Sequence, residues 1–209
     1  MNLRIAICLA ALATGLGGCG ANAGEGENRG PVVFADNCGQ CHGVNGAGNP
    51  DIEAPAIAGL PSWYVESQLM KFRMGIRGAH AEDLPGLRMR PMSRTLEERD
   101  ITAVAEYVSV LGAVTPDEIV KGDPEAGKAA YGTCVACHQE NGLGNEALAA
   151  PPIAQLDDWY IRTQLHNFKK GIRGADPRDT TGAQMAPMAR TLADDKAVND
   201  VVAYISTLR

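Results

Sequence analysis

Apolar residues recur at helical spacing along this chain, and the recurrence comes in two rounds. Tyr64, Leu69 and Phe72 fall on one helical face, and so do Ile101, Val104, Val108 and Leu111. Val198, Val201, Ile205 and Leu208 repeat the latter set near the other end. A period of three to four predicts amphipathic helices with one buried stripe. Start signals agree with it. Pro31 and Pro124 suit the first turn of a helix, Ser62 and Asp158 are candidate N-caps, and Thr95-Leu96-Glu97-Glu98 has the form of a capping box, with Thr191-Leu192-Ala193-Asp194 an acidic variant. Gly- and Pro-rich stretches separate these segments. No segment alternates convincingly as a strand, so the expected class is all-α.

The two rounds are an internal repeat. At an offset of 96 positions, Asn45-Gly46 returns as Asn141-Gly142, Trp63-Tyr64 as Trp159-Tyr160, and Gln68-Leu69 as Gln164-Leu165. Gly75-Ile76-Arg77-Gly78-Ala79 returns as Gly171-Ile172-Arg173-Gly174-Ala175. From Cys38 to Leu96 the register holds without a gap. Two copies are too few for a solenoid and read as tandem domains, 24–114 and 115–209. They join near Gly112–Gly122, where Thr115-Pro116-Asp117 ends the preceding helix. The short connection predicts close packing of the two domains.

Inside the ungapped stretch a pentapeptide occurs twice: Cys38-Gly39-Gln40-Cys41-His42 and Cys134-Val135-Ala136-Cys137-His138. Cys-x-x-Cys-His is the attachment pattern of c-type haem, with two thiols for thioether bonds and a histidine beside them for the iron. Cys-x-x-Cys alone also serves thioredoxin-like redox sites and halves of zinc sites. The first needs alternating strands and helices, which this chain lacks. The second needs four converging ligands, and each pair here stands in its own equivalent setting.

The remaining cysteines lie near the N-terminus. Met1–Arg4 is a short positive segment and Ile5–Leu16 an apolar one, too short to span a bilayer comfortably. Residues 1–23 therefore read as a signal peptide. Ala21-Asn22-Ala23 fits ordinary cleavage after Ala23; Leu16-Gly17-Gly18-Cys19 resembles a lipobox, in which Cys19 becomes a lipidated anchor. Both readings export the mature chain, to the periplasm in a bacterium. Cys8 lies in the removed segment, so no disulfide framework remains. The formal charge is −6, shared between the halves: 12 acidic and 8 basic residues in 24–115, then 13 and 10 in 116–209. That balance argues against nucleic acid, which needs basic stripes.

A helix, a Cys-x-x-Cys-His, a proline loop, a middle helix, a methionine loop and a last helix, given twice, resemble two tandem class I cytochrome c domains of the di-haem cytochrome c4 type. The resemblance covers essentially everything after Arg29. It implies haem c on Cys38 and Cys41 and on Cys134 and Cys137, with His42 and His138 as iron ligands. It makes Met89 and Met185 the opposite ligands, each 47 positions beyond its histidine; Met92 and Met188 share the spacing and are the rivals. Pro55 and Pro151 match the proline whose carbonyl accepts from the haem histidine. Arg77 and Arg173 are candidates for haem propionates, and Trp63, Tyr64, Trp159 and Tyr160 for haem edges or core. His80 and His166 are unmatched and read as surface or structural histidines. Phe34 with Tyr107, and Tyr131 with Tyr204, match the crossing of first and last helices.

The implied function is electron transfer, not catalysis, since a His/Met pair fills both axial positions. The expected role is a periplasmic carrier of single electrons. Its donor would be a quinol-oxidising complex (a quinol–cytochrome c reductase) or a soluble carrier, and its acceptor a terminal oxidase or reductase. The alternatives are an electron-transfer subunit of a membrane oxidoreductase complex and, from another class, a di-haem peroxidase-type enzyme.

Overall fold

Two helices cross at the base of each half, and glycine permits the crossing. The computed structural model of the chain describes residues 28–209; residues 1–23, expected as a signal peptide, and Cys19, expected as an anchor, lie outside them. In the first domain α1 (Arg29–Asn37) and α2 (Gly39–His42) precede a 3-10 turn at Pro50–Ile52, followed by α3 (Ser62–Arg73), α4 (Leu84–Arg94) and α5 (Glu98–Val110). The second repeats the plan with α6 (Pro124–Tyr131), α7 (Val135–His138), a 3-10 turn at Glu146–Leu148, α8 (Asp158–Lys170), α9 (Thr180–Arg190) and α10 (Asp195–Ser206). α1 packs on α5 and α6 on α10. A Cβ on Gly30 would strike the Ala103 carbonyl, and one on Gly127 the Asp200 carbonyl. The aromatic pairs expected there stand 5.4 Å apart for Phe34–Tyr107 and 5.2 Å for Tyr131–Tyr204.

The periodic residues are buried as predicted. Tyr64, Leu69, Phe72, Ile101, Val104 and Val108 form the first core and Val198, Val201 and Ile205 part of the second, with Leu111 and Leu208 packed against them. The only extended pairings among the described residues are isolated bridges, Asn49–Ala54 and Asn145–Ala150. They close the loops that carry Pro55 and Pro151.

Local signals shifted in three places. The N-caps of α3 and α8 are Pro61 and Asp157, so Ser62 and Asp158 are the first helical residues. The caps of α5 and α10 are Glu97 and Asp194. Thr95 and Thr191 instead donate backward to the Met92 and Met188 carbonyls, both at 2.7 Å, closing the preceding helices. Those preceding helices are the third difference: the methionine stretches expected as loops are the helices α4 and α9. Asp83 and Asp179 start them by accepting from Gly86 and Gly182 N–H at 3.1 and 3.0 Å. Pro91 and Pro187 sit inside and remove the bonds that would close on Leu87 and Ala183. The caps and the packing of the methionine face outweigh that local loss.

The linker is pinned to the second domain. Asp158 Oδ2 accepts from both Ile119 and Val120 N–H at 2.7 Å, and Asp200 Oδ1 accepts from Asp123 N–H at 2.9 Å. No helix among the described residues is long and apolar enough to cross a membrane.

Candidate functional site

Each domain encloses an apolar cavity, about 180 Å³ in the first and about 210 Å³ in the second. Cys38, Cys41, His42, Pro55, Met89 and Met92 line the first; Cys134, Cys137, His138, Pro151, Met185 and Met188 line the second. The histidines end α2 and α7, one-turn helices that set Cys, Cys and His on one wall. The Gly48 and Gly144 N–H groups bond the His42 and His138 carbonyls at 2.8 and 3.1 Å. The proline loop thereby returns beside the histidine.

His42 Nδ1 lies 2.8 Å from the Pro55 carbonyl and His138 Nδ1 2.9 Å from that of Pro151. A carbonyl only accepts, so Nδ1 carries the proton and Nε2 the lone pair that binds metal. Burial pushes both imidazoles below their ordinary pKa, against the opposing proline carbonyls, which favours the neutral ring a metal requires. Burial also pushes the Cys38 thiol up to about 11 and raises Cys134. A thioredoxin-like pair works through a depressed thiol. Among the described residues no three His, Cys, Asp or Glu side chains converge as a metal-binding group.

Met89 and Met185 are partly buried against the core, whereas Met92 and Met188 are 43% and 41% exposed at the cavity rims. The first pair is the more buried. Arg77 and Arg173 lie over the Phe72 and Phe168 rings at 4.5 and 4.6 Å, each at its own cavity wall. Trp63 and Tyr64 reach the second domain's cavity, and Tyr64 and Tyr160 the first's. Trp159, expected at a haem edge or in the core, is in the core and lines neither. His80 is exposed, and His166 sits 3.8 Å from Asp195.

The arginines meet across the domain interface. Gln68 Oε1 accepts from Arg77 Nη1 and Arg173 Nη2, both at 3.0 Å. Gln164 Oε1 accepts from Arg77 Nη2 at 3.0 Å and Arg173 Nη1 at 2.7 Å. This exchange has near two-fold symmetry, broken by Tyr160, whose hydroxyl bonds Arg77 Nη2 at 2.8 Å. Burial opposes the Tyr160 phenolate, yet Arg77 and Arg173 outweigh it and lower its pKa. Arg77 Nε is buried with no partner among the described residues; an anionic group in the first cavity would satisfy it. With paired thiols, a neutral histidine and apolar walls, the residues present fit a covalently held haem.

The sequence reading missed several of these residues. Gln68 and Gln164 stood in the repeat without a role, because their partners lie across the interface. Asp157, which accepts from the Ala56 N–H across the interface, and Lys71, which bonds Asp179 and Thr181 there, stand opposite Pro61 and Asn167 in the repeat, so the repeat never marked them.

Comparison with known proteins agrees with the geometry. The cytochrome c family pattern matches residues 27–112 and again 124–209. A thiosulfate dehydrogenase electron acceptor from Stutzerimonas stutzeri (strain A1501) is 30% identical over 191 residues, covering 85% of this chain and 81% of that protein. Reduced recombinant cytochrome c4 from Pseudomonas stutzeri superposes with a TM-score of 0.69 at 27% identity, covering 88% of this chain and 98% of that one. A thiosulfate dehydrogenase from Marichromatium purpuratum gives the same TM-score of 0.69 at 29% identity over 86% of this chain, which spans only 40% of that larger one. The chain thus belongs to the cytochrome c family, as a cytochrome c4-like di-haem class I protein that carries two covalently bound haem c groups and transfers electrons rather than catalysing a reaction.

Proposed function

We propose that this protein carries single electrons in the periplasm between a respiratory donor and a terminal oxidase or reductase, held to the membrane through a lipidated Cys19. The observation that carries the reading is that in each domain the Cys-x-x-Cys-His residues and a methionine line one apolar cavity. Cys38 and Cys41, and Cys134 and Cys137, attach the haems; His42 and Met89, and His138 and Met185, ligate them. When bound, each haem supplies one-electron exchange between ferric and ferrous iron. His42 with Met89, and His138 with Met185, would hold each iron entirely through protein side chains, which would leave no open site for substrate and favour outer-sphere transfer. Pro55 and Pro151 fix the histidine rings. Arg77 and Arg173 serve the propionate side of each haem while tying the domains together, and the buried Arg77 Nε supports this.

The donor is a quinol-oxidising complex or a soluble carrier. Likeness to a thiosulfate dehydrogenase electron acceptor supports a second donor, an enzyme that oxidises an inorganic sulfur compound. Permanent membership of a membrane oxidoreductase complex is the competing role. Reducing the purified protein and adding membrane fractions tests both: oxidation by an oxidase fraction with second-order, exchangeable kinetics supports a free carrier, and stable co-purification supports a subunit. Absence of any oxidation by membranes, with peroxide turnover instead, would overturn the carrier reading. Cys19→Ala should move the protein from membrane to soluble fraction; unchanged membrane association would remove the anchor.

A further inference from the structure

Asp157 occupies the N-cap of α8 but makes no capping bond to its own helix. Its Oδ2 instead accepts from the Ala56 N–H of the other domain, at 2.7 Å in a buried contact. That N–H belongs to the peptide unit whose carbonyl, that of Pro55, accepts from His42 Nδ1 at 2.8 Å. One amide therefore stands between a carboxylate of the second domain and the haem histidine of the first. We propose that Asp157 is a positioning residue that sets the first domain's potential below the second's through this peptide; the inference rests on His42 and His138 being the iron ligands.

A carboxylate drawing on an amide N–H pushes electron density onto the carbonyl oxygen, because hydrogen bonds in a chain polarise one another. The stronger acceptor takes more of the Nδ1 proton, and the ring becomes a better donor to iron. A more basic axial histidine favours the ferric state and lowers the potential. The anion's direct field has the same sign, since a negative charge beside the first cavity favours the more positive ferric state. Burial, with the neighbouring Asp158 charge, pushes the Asp157 carboxyl above its ordinary value against the Ala56 N–H and Arg209; Arg209, which bonds the Ala154 and Leu156 carbonyls, also partly offsets the carboxylate's field.

The second domain is built without this arrangement. The residue equivalent to Ala56 is Pro152, which has no N–H to give, and the residue equivalent to Asp157 is Pro61. The repeat is otherwise ungapped here, so the two haem histidines differ in what lies behind their proline carbonyl. Electrons at equilibrium then favour the second domain. Because Asp157 and Ala56 are on different domains, the bias holds only while the domains are docked.

The test is Asp157→Asn in the holoprotein, since Asn keeps an oxygen acceptor and removes the charge. Redox titration should show the first-domain potential rising by about a threefold to tenfold change in equilibrium, ~30–60 mV at 59 mV per tenfold, with the second unchanged. Met185→Ala, which drops the second-domain step, identifies which step is which. NMR of the ferrous protein should show the His42 Nδ1–H resonance moving upfield as its hydrogen bond weakens, and that of His138 staying in place. Unchanged potentials, or a fall in the first-domain potential as from water entering a loosened interface, would overturn the proposal. A rise in potential with an unmoved His42 resonance would overturn the relay through the peptide. If Asp157→Asn does not fold, Asp157→Ser gives the same readouts. His42→Ala tests the underlying reading separately: a first-domain haem that stays low-spin in that variant would refute the ligand assignment and not the Asp157 contact.

Discussion

Lys71 Nζ of the first domain lies 2.7 Å from Asp179 Oδ1 of the second. It also donates to Thr181 Oγ1 at 2.5 Å. The position equivalent to Lys71 is Asn167, which carries no charge to offer Asp83, so this ion pair exists on one side of a nearly symmetric interface. Asp179 is 2% exposed, and an anion so placed without its cation is costly. Lys71→Met should destabilise the docked state by about 2–3 kcal/mol, less than a fully orphaned charge because the Gly182 N–H remains. Denaturant unfolding of the holoprotein checks this; a loss below about 0.5 kcal/mol would mean the pair behaves as a surface bridge.

The same carboxylate makes docking acid-sensitive. Burial works against the Asp179 anion, but Lys71 and the Gly182 N–H outweigh it and hold its pKa below the ordinary 3.8. The unfolded or undocked chain therefore binds this proton more readily. Its contribution is complete above about pH 4 and is lost as pH falls through the depressed value. Small-angle scattering across that range should show the parent's domains separating as pH falls, with this acid dependence weakened in Lys71→Met, where the ammonium that depresses the carboxyl is gone and burial alone favours its protonated form.

The two methionines of each helix should respond differently. Met89→Ala or Met185→Ala should each lower the potential of one haem and open its sixth position, giving a high-spin ferric signal. Met92→Leu and Met188→Leu should leave both potentials within about a threefold shift in equilibrium, ~30 mV, since those side chains sit at the exposed rim. Redox titration with absorption spectroscopy separates the pairs, and a reversed pattern would reassign the ligands.

Helix crossing leaves no room for a methyl group at Gly30 or Gly127. Gly→Ala ordinarily helps a helix by about 1 kcal/mol. Here the added Cβ meets backbone carbonyls of α5 and α10, so each substitution should instead destabilise its domain by about 2–3 kcal/mol. Haem-loaded yield and thermal unfolding measure it, and a stabilised Gly30→Ala would contradict the crossing geometry.

Much of this protein is determined by neighbours along the chain. The Cys-x-x-Cys-His pairs need only a helical turn to set thiols and imidazole on one wall. The apolar periods of α3, α5 and α10 place the cores, and the ungapped repeat transfers the Cys, His, Pro and Met positions of one domain to the other. Helix ends were less legible: Thr95 and Thr191 carry capping chemistry but spend it on the preceding helix. Proline at 91 and 187 masked α4 and α9 as loops. What only the tertiary structure decided lies at the interface. Asp157 meets Ala56 across 101 positions and Lys71 meets Asp179 across 108, and in each pair at least one residue is replaced by a different type at the equivalent position of the other domain. A pattern that recurs can be read from the sequence. A contact made once, where the other domain lacks one or both of the residues, exists only because two folded surfaces bring a carboxylate to an N–H or ammonium that burial leaves in need of it.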